Sequence, residues 1–135
     1  MNRKGFTLAE LLLATALMAL VLCGLLALFV SCTVVNGSSR NLTTATAHAR
    51  YILEDIRAAG LTGLEARINS GGTTGWDMSA ADLLAAYGLT TLSNESVATQ
   101  VTQTGDPLGV SVTVNWNDRG RRPRSITLQT AITNF

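Results

Sequence analysis

From Leu11 to Ser39 the chain carries no charged side chain, and from Leu11 to Val35 it is almost wholly apolar. At about 1.5 Å per residue, a helix over that run exceeds the ~30 Å hydrocarbon layer of a bilayer. A helix apolar on every side needs apolar surroundings on every side, so the run reads as membrane-spanning. Composition agrees. The chain is 47% hydrophobic and only 14% charged, against about 25% charged in ordinary soluble domains. Arg3 and Lys4 precede the run and most of the chain follows it. The positive-inside rule therefore sets the N-terminus in the cytoplasm and the C-terminal head across the membrane.

Two other uses of an apolar N-terminus fit less well. A secretory signal has an apolar core of roughly 7 to 15 residues, far shorter than this one. Phe29-Val30-Ser31-Cys32 is only loosely like a lipoprotein processing site, with Phe29 where Leu is expected. Cys23 and Cys32, nine residues apart on a helix, face opposite sides and form neither a disulfide nor a metal-ligand pair. The anomaly of the segment is Glu10, one carboxylate at its mouth. An unpaired carboxylate in lipid costs several kcal/mol, so it needs a partner.

Beyond Asn36-Gly37-Ser38-Ser39, a soft spot that allows a bend near Gly37, a helical period continues. Leu42, Ala45, Ala49, Ile52, Ile56 and Ala59 recur at steps of three and four and form one stripe. His48 and the charged residues fall largely off it, Arg50 and Glu54 stand at i,i+4, and Gly60 supplies a stop. One helix from about Phe6 to Ala59 would span about 80 Å. Leu61 to Trp76, rich in glycine, reads as a loop. Ser79 before Ala80, Ala81 and Asp82 reads as the N-cap of a short helix that stops at Gly88. Val97, Thr99 and Val101 form a weak strand. Val110 to Trp116 and Ile126 to Ile132 alternate apolar with polar, as half-buried strands do, with Asn117 to Arg124 as the connecting loop. The fold class is α+β: a long N-terminal helix, its second half packed on a small antiparallel sheet.

Lys4-Gly5, then Phe6-Thr7-Leu8-Ala9-Glu10, then the apolar run match in order and spacing a class III signal, and the chain resembles type IV prepilins and pseudopilins. The resemblance implies cleavage between Gly5 and Phe6 by a prepilin peptidase and N-methylation of Phe6. It implies pairing of Glu10, beside Thr7, with the new N-terminal amine of the same or a neighbouring subunit. The implied organisation is a leader at 1–5, a transmembrane and filament-core helix at 6–35, its amphipathic continuation at 36–60, and a head at 61–135 with a variable loop region and C-terminal hairpin. The implied partners are the peptidase, other pilin or pseudopilin subunits, the inner membrane and its assembly platform. The implied fate is a bacterial inner-membrane protein that becomes part of a surface filament, whether a type IV pilus (fimbrium) or a type II secretion or competence filament. Glu54-Asp55-Ile56-Arg57-Ala58-Ala59-Gly60 and the final hairpin are most similar to minor pilins. No cysteine follows Cys32, unlike major pilins with a C-terminal disulfide loop, and Gly24 stands in the membrane run where proline is common.

Enzymatic chemistry is not expected. His48 is the sole histidine and reads as a surface or interface residue; Gly71-Gly72-Thr73-Thr74-Gly75 lacks the strand and lysine of a phosphate loop. No metal or cofactor is expected, Asp106 and Asp118 being isolated. Arg119, Arg121, Arg122 and Arg124 cluster at the hairpin tip. The plain reading is a solvated turn or pairing with Asp118. The alternative function is a pilus-tip or surface binding module in which these guanidiniums contact DNA or another polyanion.

Overall fold

The computed structural model of the chain describes residues 7–60, 64–69, 75–118 and 122–133. They form two compact units, residues 1–38 and 39–135. The architecture is α+β and pilin-like: a long N-terminal helix followed by a four-stranded antiparallel sheet with two short helices.

Helix α1 (Leu8–Ala58) is unbroken by secondary structure, and Asn36–Ser39 is helical, so the soft spot at Gly37 does not interrupt it. In the first unit its apolar side chains, Leu11 to Val30 among them, are exposed. The three hydroxyls of the apolar run turn back on their own backbone: Thr15 donates to the Leu12 carbonyl, Ser31 to Ala27 and Thr33 to Val30, at 2.8 to 2.9 Å. A helix that satisfies its polar groups internally can lie in hydrocarbon.

In the second unit, Ala45, His48, Ala49, Ile52, Leu53 and Ile56 of α1 are buried. The expected stripe is therefore right at its centre and wrong at its ends. Asn41 donates to Asp118 Oδ1 at 3.1 Å, and Asp118 is the last residue of strand β3 (Leu108–Asp118), so Leu42 stands at the limit of the sheet and stays exposed. Ala59 lies past the helix end and is also exposed. Arg50 does not pair with Glu54. Glu54 is bonded instead to Arg57 at 2.6 Å, and Arg57 also donates to Thr130 Oγ1, which draws it toward the sheet.

The sheet order is β1 (Met78–Ser79), β2 (Ser96–Gln103), β3 and β4 (Arg122–Ile132). β3 is the hub, with Val97↔Val114 on one side and Val112↔Leu128 on the other. Its even-numbered residues, Leu108 through Trp116, join the α1 stripe in one core with Leu83, Trp76, Leu64 and Ile68. The expected hairpin forms, with longer strands than its alternation indicates: β4 begins at Arg122, and Pro123 pairs with Asn117 rather than sitting in the loop. β4 is an edge strand, where a missing N–H costs no ladder bond.

The stretch after α1 is not all loop. Leu64–Asn69 forms helix α2, because Leu64 and Ile68, one turn apart, are both buried against the core. Trp76 is buried as well. Its indole donates to Asp55 Oδ2 at 2.7 Å while Arg67 lies 4.3 Å above its ring. Helix α3 (Ala80–Tyr87) has the expected Ser79 cap, completed into a capping box by Asp82, and stops at Gly88, whose φ of 64° favours a residue without Cβ. The Ser79 hydroxyl, then its amide, hold the Asp82 carboxyl below its ordinary range.

Tyr87, at the end of α3, donates to the same Asp55 oxygen at 3.0 Å and meets Tyr51 edge-to-face at 5.0 Å. Burial first, and the Asp55 hydrogen bond second, push its phenol up to about 12. Folding thus favours the protonated phenol. The associated stability is complete below the ordinary tyrosine value near 10 and is lost as pH rises through about 12. Tyr87→Phe should remove this alkaline loss, read as unfolding midpoints across that window. In the core, Ile52→Ala should cost about 3 kcal/mol in denaturant unfolding of the second unit, whereas Leu42→Ala should cost less than about 0.5 kcal/mol.

Candidate functional site

Thr7 is the residue before the first helical position, and Leu11 N–H reaches the Thr7 carbonyl at 3.2 Å to open the helical ladder. The amide of Thr7 and its hydroxyl both donate to Glu10 Oε2 at 2.9 Å, while Thr7 Oγ1 accepts the Glu10 N–H at 3.3 Å. This is a reciprocal capping box, the same device that begins α3. It satisfies N–H groups that have no carbonyl partner in the helix and sets a negative charge at the positive end of the helix dipole. Only one carboxylate oxygen is used. Glu10 Oε1 has no hydrogen bond among the described residues, so the carboxylate keeps an acceptor in hand. Gly5 and Phe6, the expected processing pair, lie outside the described residues.

Behind the box, α1 contains an 18-residue stretch long and apolar enough to cross a membrane, none of it buried in the protein. One carboxylate therefore heads a run, Leu11 to Ser39, that carries no charge and whose Thr15, Ser31 and Thr33 hydroxyls bond to its own backbone. Residues 1–30 match the prokaryotic N-terminal methylation motif. This segment is a type IV prepilin-like class III signal peptide. No curated protein and no solved structure matches the chain. A class III signal implies processing by prepilin peptidase and assembly with other pilins, and the apolar helix with this motif fits a membrane-anchored pilin.

The hairpin tip is only partly described. Arg122 and Arg124 are exposed on β4; Arg119 and Arg121 lie outside the described residues. Arg122 is in register with Asp118, but Asp118 is held by Asn41 and forms no ion pair among the described residues. Among the described residues there is no group of three or more His, Cys, Asp or Glu that could hold a metal.

His48 is a correction to the sequence reading. It is buried, 4% exposed, and its Nδ1 lies 2.6 Å from Oε1 of the equally buried Glu95, whose Oε2 accepts the Leu92 N–H at 2.7 Å. Nothing in the sequence pairs two residues 47 positions apart. The only local clue is that His48 adjoins Ala49 on the buried side of the stripe. The pair joins α1 to the turn before β2, where a carboxylate without its partners would be costly. His48→Leu should therefore destabilise the second unit by about 3 kcal/mol, since it leaves Glu95 buried and unpaired. His48→Leu combined with Glu95→Met should recover much of that loss in the same unfolding measurement.

Proposed function

We propose that the chain is a structural subunit, of the minor kind, in a type IV pilus or a related type II secretion or competence filament. Cleavage after Gly5 and N-methylation of Phe6 convert the precursor to its mature form. The chain is then a substrate of processing enzymes and not itself a catalyst. The observation that carries this reading is the half-used Glu10 carboxylate at the head of the uncharged run Leu11 to Ser39. Cleavage would create an amine at Phe6, four residues before Glu10 in the sequence. That amine, or its counterpart on a neighbouring subunit, can be taken up by Oε1 while Thr7 keeps Oε2. The pairing neutralises the one charge at the head of an apolar run that lipid or other helices must surround.

In this reading Arg3 and Lys4 stay in the cytoplasm, α1 rests in the inner membrane, and the head faces the periplasm until assembly draws the helix into the filament core. The minor role is supported by the hairpin and helix end described above and by the lack of any cysteine after Cys32.

Mass analysis of the protein isolated from its native membrane tests the reading directly. The expected mature chain begins at N-methylated Phe6. A chain beginning at lipidated Cys32, or an intact Met1, contradicts it. Gly5→Leu should block processing. Glu10→Gln should leave cleavage intact but lower incorporation into filaments at least about tenfold, the scale of one charge-assisted bond lost in an apolar setting.

A further inference from the structure

Strand β4 closes one side of the sheet, and among the described residues no strand lies beyond it. Two hydrogen bonds fix which of its backbone groups face that open side. The Thr99 N–H goes to Asp77 Oδ1, away from β3, and the Asn117 N–H goes to the Ser93 carbonyl, on the β2 side. In an antiparallel ladder the backbone groups of successive residues point to opposite neighbours. The odd-numbered residues of β3 therefore bond toward β2, and the even-numbered ones from Val110 to Trp116 bond toward Thr130, Leu128, Ile126 and Arg124 of β4. Left for the open side are the amides of Ser125, Thr127, Gln129 and Ala131, all four on exposed residues. Pro123 belongs to the same set, where a residue without an N–H can stand.

Folded proteins blunt such rows with charges, bulges or covering loops, because an open row pairs readily with another chain. Here the register of β4 runs without a bulge from Arg122 to Ile132. Its two faces differ in kind. Toward α1 the strand presents Arg122 and Arg124, both exposed, then Ile126 and Leu128, both half-buried at the margin of the core. On the other face stand Pro123, Ser125, Thr127 and Gln129, none of them charged. Neither arginine has an ion-pair or hydrogen-bond partner among the described residues.

These features specify what can lie there. An added strand about 4.8 Å beyond β4 takes up its outward amides and carbonyls. Across from Ile126 and Leu128 it needs apolar side chains, which widen the core by one strand. Across from Arg122 and Arg124 it needs carboxylates, and on the other face it needs no charge. A second copy of β4 answers badly. The strand has no acidic residue, so its guanidiniums stay unmatched in antiparallel pairing and meet their own copies in parallel, in-register pairing. We infer that the open edge of β4 is a docking site for an extended segment of another protein, antiparallel to β4, whose alternate side chains are two apolar and then two acidic. Antiparallel pairing is the arrangement β3 already has with β4 and the slightly more stable one. The inference does not depend on the filament reading.

The test uses the full-length chain in detergent micelles and a dye-labelled synthetic peptide, followed by fluorescence anisotropy. The peptide reads valine, threonine, valine, threonine, glutamate, threonine, glutamate, which sets its valines against Leu128 and Ile126 and its glutamates against Arg124 and Arg122. Saturable binding is expected, several-fold weaker when lysines replace the glutamates. Arg122→Gln with Arg124→Gln should remove that preference. Methylating the threonine amides, which face β4 in this register, should abolish binding, and methylating the valine and glutamate amides, which face away, should leave it intact. Ser125→Pro removes an outward N–H; it should leave the unfolding midpoint of the second unit in place and weaken binding about tenfold or more. The methylated peptides carry the test even where that variant fails to fold. Absence of saturable binding to the parent peptide overturns the proposal, as does binding that survives methylation of the threonine amides. Sedimentation of the chain as a dimer that Ser125→Pro dissociates also overturns it, and assigns the edge to a second copy.

Discussion

The head depends on the contact between the buried face of α1 and strand β3. Ala45 and Ala49 are fully buried there, and their small side chains let a helix sit close to a sheet whose facing residues are Val110, Val112 and Val114. Ile52 and Ile56 then fill the space one and two turns on. Close packing of this kind tolerates little change in volume, and it fixes which way β3 faces. The pairing registers of β2 and β4 follow from β3, and the polar face of the sheet is determined with them.

Around that contact, polar side chains hold the irregular segments in place. Asp55 takes the indole of Trp76 and the phenol of Tyr87 on one oxygen, joining the region after α1 and helix α3 to α1 itself. Asp77 accepts both the amide and hydroxyl of Thr99, at 2.6 and 2.9 Å, just before two-residue β1 begins. Glu95 does the same for the turn before β2 through His48 and the Leu92 amide. Three carboxylates thus serve segments that lack enough apolar surface to pack unaided, since each such bond, made to a charged acceptor, contributes about 1.5 to 3 kcal/mol.

Elements with a period were legible in the sequence. The membrane run, the α1 stripe, the α3 cap and the hairpin all follow from spacing within one segment, and the structure has each of them. The misses involve distance or brevity. Helix α2 has six residues, too few for a period to show. His48 looked like a surface residue because its partner lies in a turn that only the fold brings near. The extent of the stripe depended on where the sheet ends, which Asp118 and Asn41 decide together. At the N-terminus, the Thr7-to-Glu10 spacing was visible. Its meaning as a capping box was not, because lipid and an amine already account for a carboxylate at that place. The row Ser96, Asn115 and Ser125 is hidden for a related reason: the three belong to three segments, and only strand register makes them neighbours.

The local bonds of Thr15, Ser31 and Thr33 have a consequence for solvation. Since these hydroxyls draw on the helix's own carbonyls, α1 asks nothing of its surroundings over this run except that they be apolar. Acyl chains and the flanks of other helices meet that demand equally well, so exchanging one for the other breaks no hydrogen bond along the run. The helix is indifferent to which apolar medium holds it, and the choice of neighbour passes to the single carboxylate at its head.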